Sequence, residues 1–69
     1  MRDSVYRIVV DMWRLAARYG FRRMGDGEWE SFIRNGERLA ARYRSEDARL
    51  ERLCRDMFAA FQKLYQKMD

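Results

Sequence analysis

The sequence predicts an all-α fold, an antiparallel three-helix bundle with a long C-terminal helix. Three observations carry that expectation. Proline is absent and only four glycines occur among 69 residues rich in Arg, Ala, Leu, Met and Glu, a helix-forming composition. Apolar residues recur three and four apart in three separate stretches, each marking one buried helical face. The connectors between the stretches are short, which places successive helices side by side. The expected organisation is one domain over residues 1–69, with helices near 4–19, 28–43 and 46–68.

The first stretch carries Val5, Ile8, Val9, Met12, Leu15, Ala16 and Tyr19 on one face and Arg7, Asp11, Arg14 and Arg18 on the other. Val10, Trp13 and Ala17 widen the apolar stripe, as expected of a helix touching two neighbours. Gly20 can adopt the left-handed conformation that ends a helix. The connector Phe21–Gly27 holds two glycines around Asp26, and Asp26 is placed to cap the second helix, with Glu28 and Glu30 in its first turn. The second stripe is Trp29, Phe32, Ile33, Gly36, Leu39, Ala40 and Tyr43. Asn35-Gly36 is a turn-favouring pair, yet the apolar phase continues through it, so Gly36 reads as a point of close helix approach.

Ser45 is the expected N-cap of the third helix, followed by Glu46 and Asp47. Leu50, Leu53, Cys54, Met57, Phe58, Phe61, Leu64, Tyr65 and Met68 form its stripe. The second and third stretches almost abut, and a tight hairpin is favoured over one kinked helix, because a lone long helix leaves its stripe exposed. At ~1.5 Å per residue the first two helices span roughly 24 Å and the third roughly 34 Å. Leu64, Tyr65 and Met68 are therefore expected to overhang the second helix, covered either by Phe21 and Met24 or by a second chain. Phe61, Leu64, Tyr65 and Met68, with the off-stripe Tyr6, are the self-association candidates.

Sixty-nine residues lie near the lower limit for a self-sufficient core, and such chains draw on disulfides, metals, oligomerisation or close packing. Cys54 is the lone cysteine and histidine is absent, which excludes an intrachain disulfide and disfavours a zinc site. An unpaired cysteine suits a reducing compartment, and the longest apolar run near the N-terminus, Ile8-Val9-Val10, is too short for a signal-peptide core. A cytoplasmic protein with no membrane role is the expectation. The 48% hydrophobic share argues against disorder despite 38% charged residues.

Without histidine, the usual general bases and thiol nucleophile pairs are missing, and the carboxylates mostly sit beside arginines as solvated ion pairs. No catalytic residue, cofactor site or metal site is expected. Gly25-Asp26-Gly27 lacks the length and the Lys of a phosphate loop. Asp26, Glu28, Glu30 and Glu37 occupy positions one, three, five and twelve of a calcium-loop frame. Ser31, however, replaces the turn-forming glycine, and Trp29, Phe32, Ile33 and Gly36 keep helical phase through it. Cys54 lies on the buried stripe and reads as an inert core thiol.

Formal charge is +4, with 13 Arg against 2 Lys. The surplus concentrates in residues 1–27, where Arg14, Arg18, Arg22 and Arg23 cluster, while Arg34, Arg38 and Arg42 add a stripe on the second helix. Salt-sensitive nucleic-acid binding by Arg14, Arg18, Arg22 and Arg23 is the alternative function. Against it stand the interleaved acids, the modest net charge and the Arg bias of GC-rich genomes. The link between helices two and three also looks too short for a helix-turn-helix. Trp13, Trp29, Tyr19, Tyr43 and Tyr65 fit core or core-rim positions, leaving Tyr6 as the aromatic best suited to an interface.

Trp13 and Tyr19, then Glu28-Trp29, Arg42-Tyr43 and the stretch from Leu50 to Leu64 give the chain an order of features. In that order it resembles a class of small all-helical proteins encoded in phages and prophages of Firmicutes. It departs from them in being Arg-rich and in its basic first connector. The resemblance implies a cytoplasmic accessory protein and supplies no site residues. The preferred reading is a non-enzymatic protein-interaction module that self-associates.

Overall fold

The computed structural model describes residues 1–68 and contains three helices: α1 (Arg2–Ala17), α2 (Asp26–Arg44) and α3 (Ala48–Gln66). They form a bundle of 36 × 17 × 16 Å. Partners along α2 and α3 run in opposite senses: Arg44 with Glu51, Glu37 with Arg55, and Phe32 with Tyr65. α1 is antiparallel to α2, shown by Tyr43 with Asp11 and by Asn35 with Tyr19, and it is therefore parallel to α3.

The expected overhang of the third helix is not formed. α2 and α3 are both 19 residues long, so each spans roughly 28 Å. The difference lies in the caps. Gly25, not Asp26, is the N-cap of α2, and the Glu28 carboxylate accepts from its N–H at 3.1 Å. Ser45 closes α2 instead of opening α3; Asp47 is the N-cap of α3 and accepts from Arg49 N–H at 2.8 Å. An extended backbone at Asp47 aims its carboxylate at the free amides of the first turn, a role Ser45 in its helical conformation cannot take. The connector is thus the three residues Ser45, Glu46 and Asp47, the length that a helix-turn-helix uses. The pairing of α2 with α3 along their whole length makes it a hairpin instead.

The core has two halves. At one end Ile8, Met12, Leu39, Ala40, Tyr43, Leu50 and Cys54 are buried. Burial pushes the Cys54 thiol up, away from the reactive thiolate. At the other end an aromatic cluster forms around fully buried Phe32, with ring centroids of Phe58 at 4.8 Å, Tyr19 and Tyr65 at 5.4 Å and Trp29 at 5.8 Å. Gly36 faces the Phe58 ring so closely that a Cβ there would overlap it, which is the close approach expected from the sequence.

Tyr65 joins the C-terminal ends of α1 and α3. Its hydroxyl donates to the Ala16 carbonyl at 2.5 Å and accepts from Phe21 N–H at 3.1 Å. The chain leaves α1 through two left-handed residues, Gly20 (φ 75°) and Phe21 (φ 50°). The second carries a Cβ and costs of order 1–2 kcal/mol. Stacking of Phe21 on Tyr65, centroids 5.8 Å apart and planes 7° from parallel, offsets that strain. Tyr65→Phe removes both hydrogen bonds and leaves the Phe21 amide without its partner. A loss of about 1–2 kcal/mol in urea-unfolding free energy is the expected result. An unchanged urea midpoint would show that the hydroxyl does not hold this turn.

At the opposite end, Ser4, though buried, donates to Glu46, and Arg7 reaches the same carboxylate at 3.5 Å. These contacts tie the start of α1 to the α2–α3 connector.

Candidate functional site

The self-association candidates separate once the helices are packed. Tyr65 is only 3% exposed and fully engaged beneath Phe21, so its place on an outward surface is corrected. Met68 is half-buried and lines a shallow depression with Met24, Trp29 and Gln66. The connector therefore covers the end of α3, because α2 begins early enough to bring Met24 and Trp29 over it. Phe61 is half-buried at the edge of the core, while Leu64 is 43% exposed.

Tyr6 is 71% exposed and does not stand alone: Trp13 is 57% and Val9 46% exposed on the same helix. At 100° per residue these three fall within one 60° sector of α1, with half-buried Val10 and Ala17 beside them. Trp13, expected at the core or its rim, stands on the outer side of that rim. Its position 100° from fully buried Met12 was the signal that it belongs instead with Tyr6. Trp13 touches the structure through Phe21, centroids 5.5 Å apart. The Arg-bearing side of α1 packs toward α2, so the Val9–Trp13 side lies toward α3. There Leu53, Met57, Phe61 and Leu64 form the nearest apolar row of α3 at helical spacing. One flank of the bundle, built from α1 and α3, is thus predominantly apolar, with exposed Arg2 at its N-terminal end.

The four arginine candidates also separate. Arg22 is held by the Glu28 carboxylate in a two-point pair at 3.1 and 2.8 Å, and this pairing keeps the Glu28 carboxyl below its ordinary range. Arg23 lines the depression beside Met24 and Trp29. Arg14 and Arg18 lie elsewhere, facing α2 across a groove of about 290 Å³ with Arg38 and Arg42 on its far wall. Asp11, Leu15, Asn35 and Leu39 complete the lining. The antiparallel register of α1 on α2 brings these two i,i+4 pairs together; a sequence shows each pair but not their juxtaposition.

Most other arginines have carboxylate partners. Glu37, Arg55, Glu51 and Arg44 form a chain of pairs across α2 and α3 at 2.8, 3.1 and 2.9 Å. Arg44 and then Arg55 hold the Glu51 carboxyl below the usual range. Arg49 does the same for Asp47, and Arg52 pairs with Asp56 at 3.2 Å. Among the described residues, Arg14, Arg18, Arg38 and Arg42 make no ion pair. Asp11 is the one carboxylate lining their groove, and it accepts from the buried Tyr43 hydroxyl at 3.3 Å. Burial, then Asp11, pushes that phenol up.

α2 runs unbroken through the Asp26–Glu37 calcium-like frame, so the loop such a site needs is not formed. Among the described residues no three of His, Cys, Asp and Glu come together as a metal-holding group, and no helix is long and apolar enough to cross a membrane. No protein-family model, curated protein or solved structure matches the chain.

Proposed function

We propose that this chain is a non-enzymatic interaction module of the cytoplasm that self-associates through the apolar flank of α1 and α3. The resemblance to phage and prophage proteins fits an accessory role of this kind. The observation that carries the reading is the exposed sector of Tyr6, Val9 and Trp13 alongside Leu64. Solvent contact with this much aromatic and aliphatic surface is unfavourable by roughly 25 cal/mol per Å², and aromatics are the residues that dominate interface energetics. A second copy is the occupant the flank suits. Two identical apolar flanks meet face to face under two-fold symmetry, while the arginines of the groove between α1 and α2 stay on the outside of the pair.

Sedimentation equilibrium tests this directly. The wild-type chain is expected to sediment as a dimer at micromolar concentration, and Tyr6→Glu with Leu64→Glu is expected to sediment as a monomer with an unchanged helical circular dichroism spectrum. Both replaced side chains are exposed, so the bundle tolerates the change. A wild-type monomer at the highest attainable concentration would remove self-association from the reading.

A further inference from the structure

We propose that the arginine-lined groove between α1 and α2 binds the phosphodiester backbone of a nucleic acid. This site lies away from the proposed self-association flank and does not depend on it. The charge and geometry of the groove point to the ligand. Arg14 and Arg18 face Arg38 and Arg42 across one groove, and all four side chains are exposed and free of ion pairs among the described residues. Six other arginines, Arg7, Arg22, Arg44, Arg49, Arg52 and Arg55, each have a carboxylate within 4.0 Å. Arg2, Arg23 and Arg34 also make no ion pair among the described residues, but the groove is where four such arginines line one depression. Guanidinium forks match phosphate oxygens two at a time and are weakly hydrated, so they suit this ligand better than ammonium groups do.

The repeat of the cluster selects a chain of anions over a single one. Side chains at i and i+4 stand about 5–6 Å apart. Two such rows, one on each wall, present charge at regular intervals along the groove, and Arg34 continues the α2 row by one more turn. One phosphate would occupy a pair of guanidinium groups and leave the rest unpaired; successive phosphates of one strand engage both rows. The floor is Leu15 and Leu39, each 6% exposed, and no aromatic side chain lines the groove. Bases have no aromatic ring in the lining to stack on, and the arginines that dominate it match phosphate oxygens. Binding is therefore carried by the backbone and is independent of sequence.

Fluorescence anisotropy with a labelled oligothymidylate and a labelled duplex tests the proposal and separates the two forms of backbone. Four phosphate contacts give a salt slope near −0.7 per contact for a single strand, so affinity falls roughly 50-fold between about 50 and 200 mM salt. R14Q/R18Q and R38Q/R42Q are each expected to halve that slope, while R49Q/R52Q removes the same charge from α3 and leaves it unchanged. Circular dichroism checks that each variant stays folded, and sedimentation reports self-association separately. No binding at the lower salt, or equal losses in all three variants, overturns the proposal. Equal affinity for a labelled polyglutamate also overturns it, in favour of an acidic protein partner.

Discussion

Phe32→Ala is expected to leave the chain largely unfolded at room temperature. Phe32 is fully buried and its ring meets four others: Tyr19 of the turn after α1, Trp29 of α2, and Phe58 and Tyr65 of α3. Truncating a buried Phe costs about 3–5 kcal/mol, part from lost transfer energy and part from the cavity left behind. A chain of this length has a total stability of roughly 3–10 kcal/mol, at the usual 0.05–0.15 kcal/mol per residue. A chain this small buries a low fraction of its surface and belongs at the lower end of that range, where the loss consumes most of the stability. Urea titration followed by circular dichroism should show the Phe32→Ala midpoint near zero denaturant. Phe61→Ala, at the half-buried edge of the same core, should keep a clear folded baseline. A Phe32→Ala midpoint close to wild type would mean that the aromatic cluster does not organise the fold.

Gly36→Ala separates local propensity from packing, because the two predict opposite signs. In an isolated helix the change stabilises by about 1 kcal/mol. In the bundle the new methyl overlaps the Phe58 ring, which is 6% exposed and packed on Phe32, so the ring has nowhere to go. Overpacking of this kind costs about 1–3 kcal/mol, and a net loss of about 2 kcal/mol is expected. A double-mutant cycle with Phe58→Leu isolates the cause: once the ring is gone, Gly36→Ala should become neutral or stabilising. If Gly36→Ala stabilises the wild-type chain, α2 and α3 do not approach as closely as described.

Helix faces are legible in the sequence, while caps and ends are less so. Stripe positions such as Ile8, Met12, Phe32, Leu39 and Phe58 follow from a 3.6-residue period, and all five are buried. Capping depends on the backbone conformation at one residue. Ser45 and Asp47 both have side chains that suit an N-cap, and only the extended φ and ψ of Asp47 decides between them. That two-residue shift, together with the earlier start of α2, removed the overhang and buried Tyr65. Trp13 shows the same limit in another form. It borders the apolar stripe, and whether a border residue is core or surface depends on how widely α1 and α3 part.

Three amphipathic helices are legible in the chain without any packing, because helical periodicity, the absence of proline and glycine placement are local properties. The excess of arginine and its concentration toward the first two helices are equally plain there. Which arginines pair with carboxylates and which converge follows from the packing of the helices. Arg22 and Arg23 are neighbours in the chain and serve different surroundings, while Arg14 and Arg42, far apart in sequence, share one groove. The reason is physical. Charge pairing and surface shape depend on the register between helices, and that register is set by core packing summed over the whole bundle.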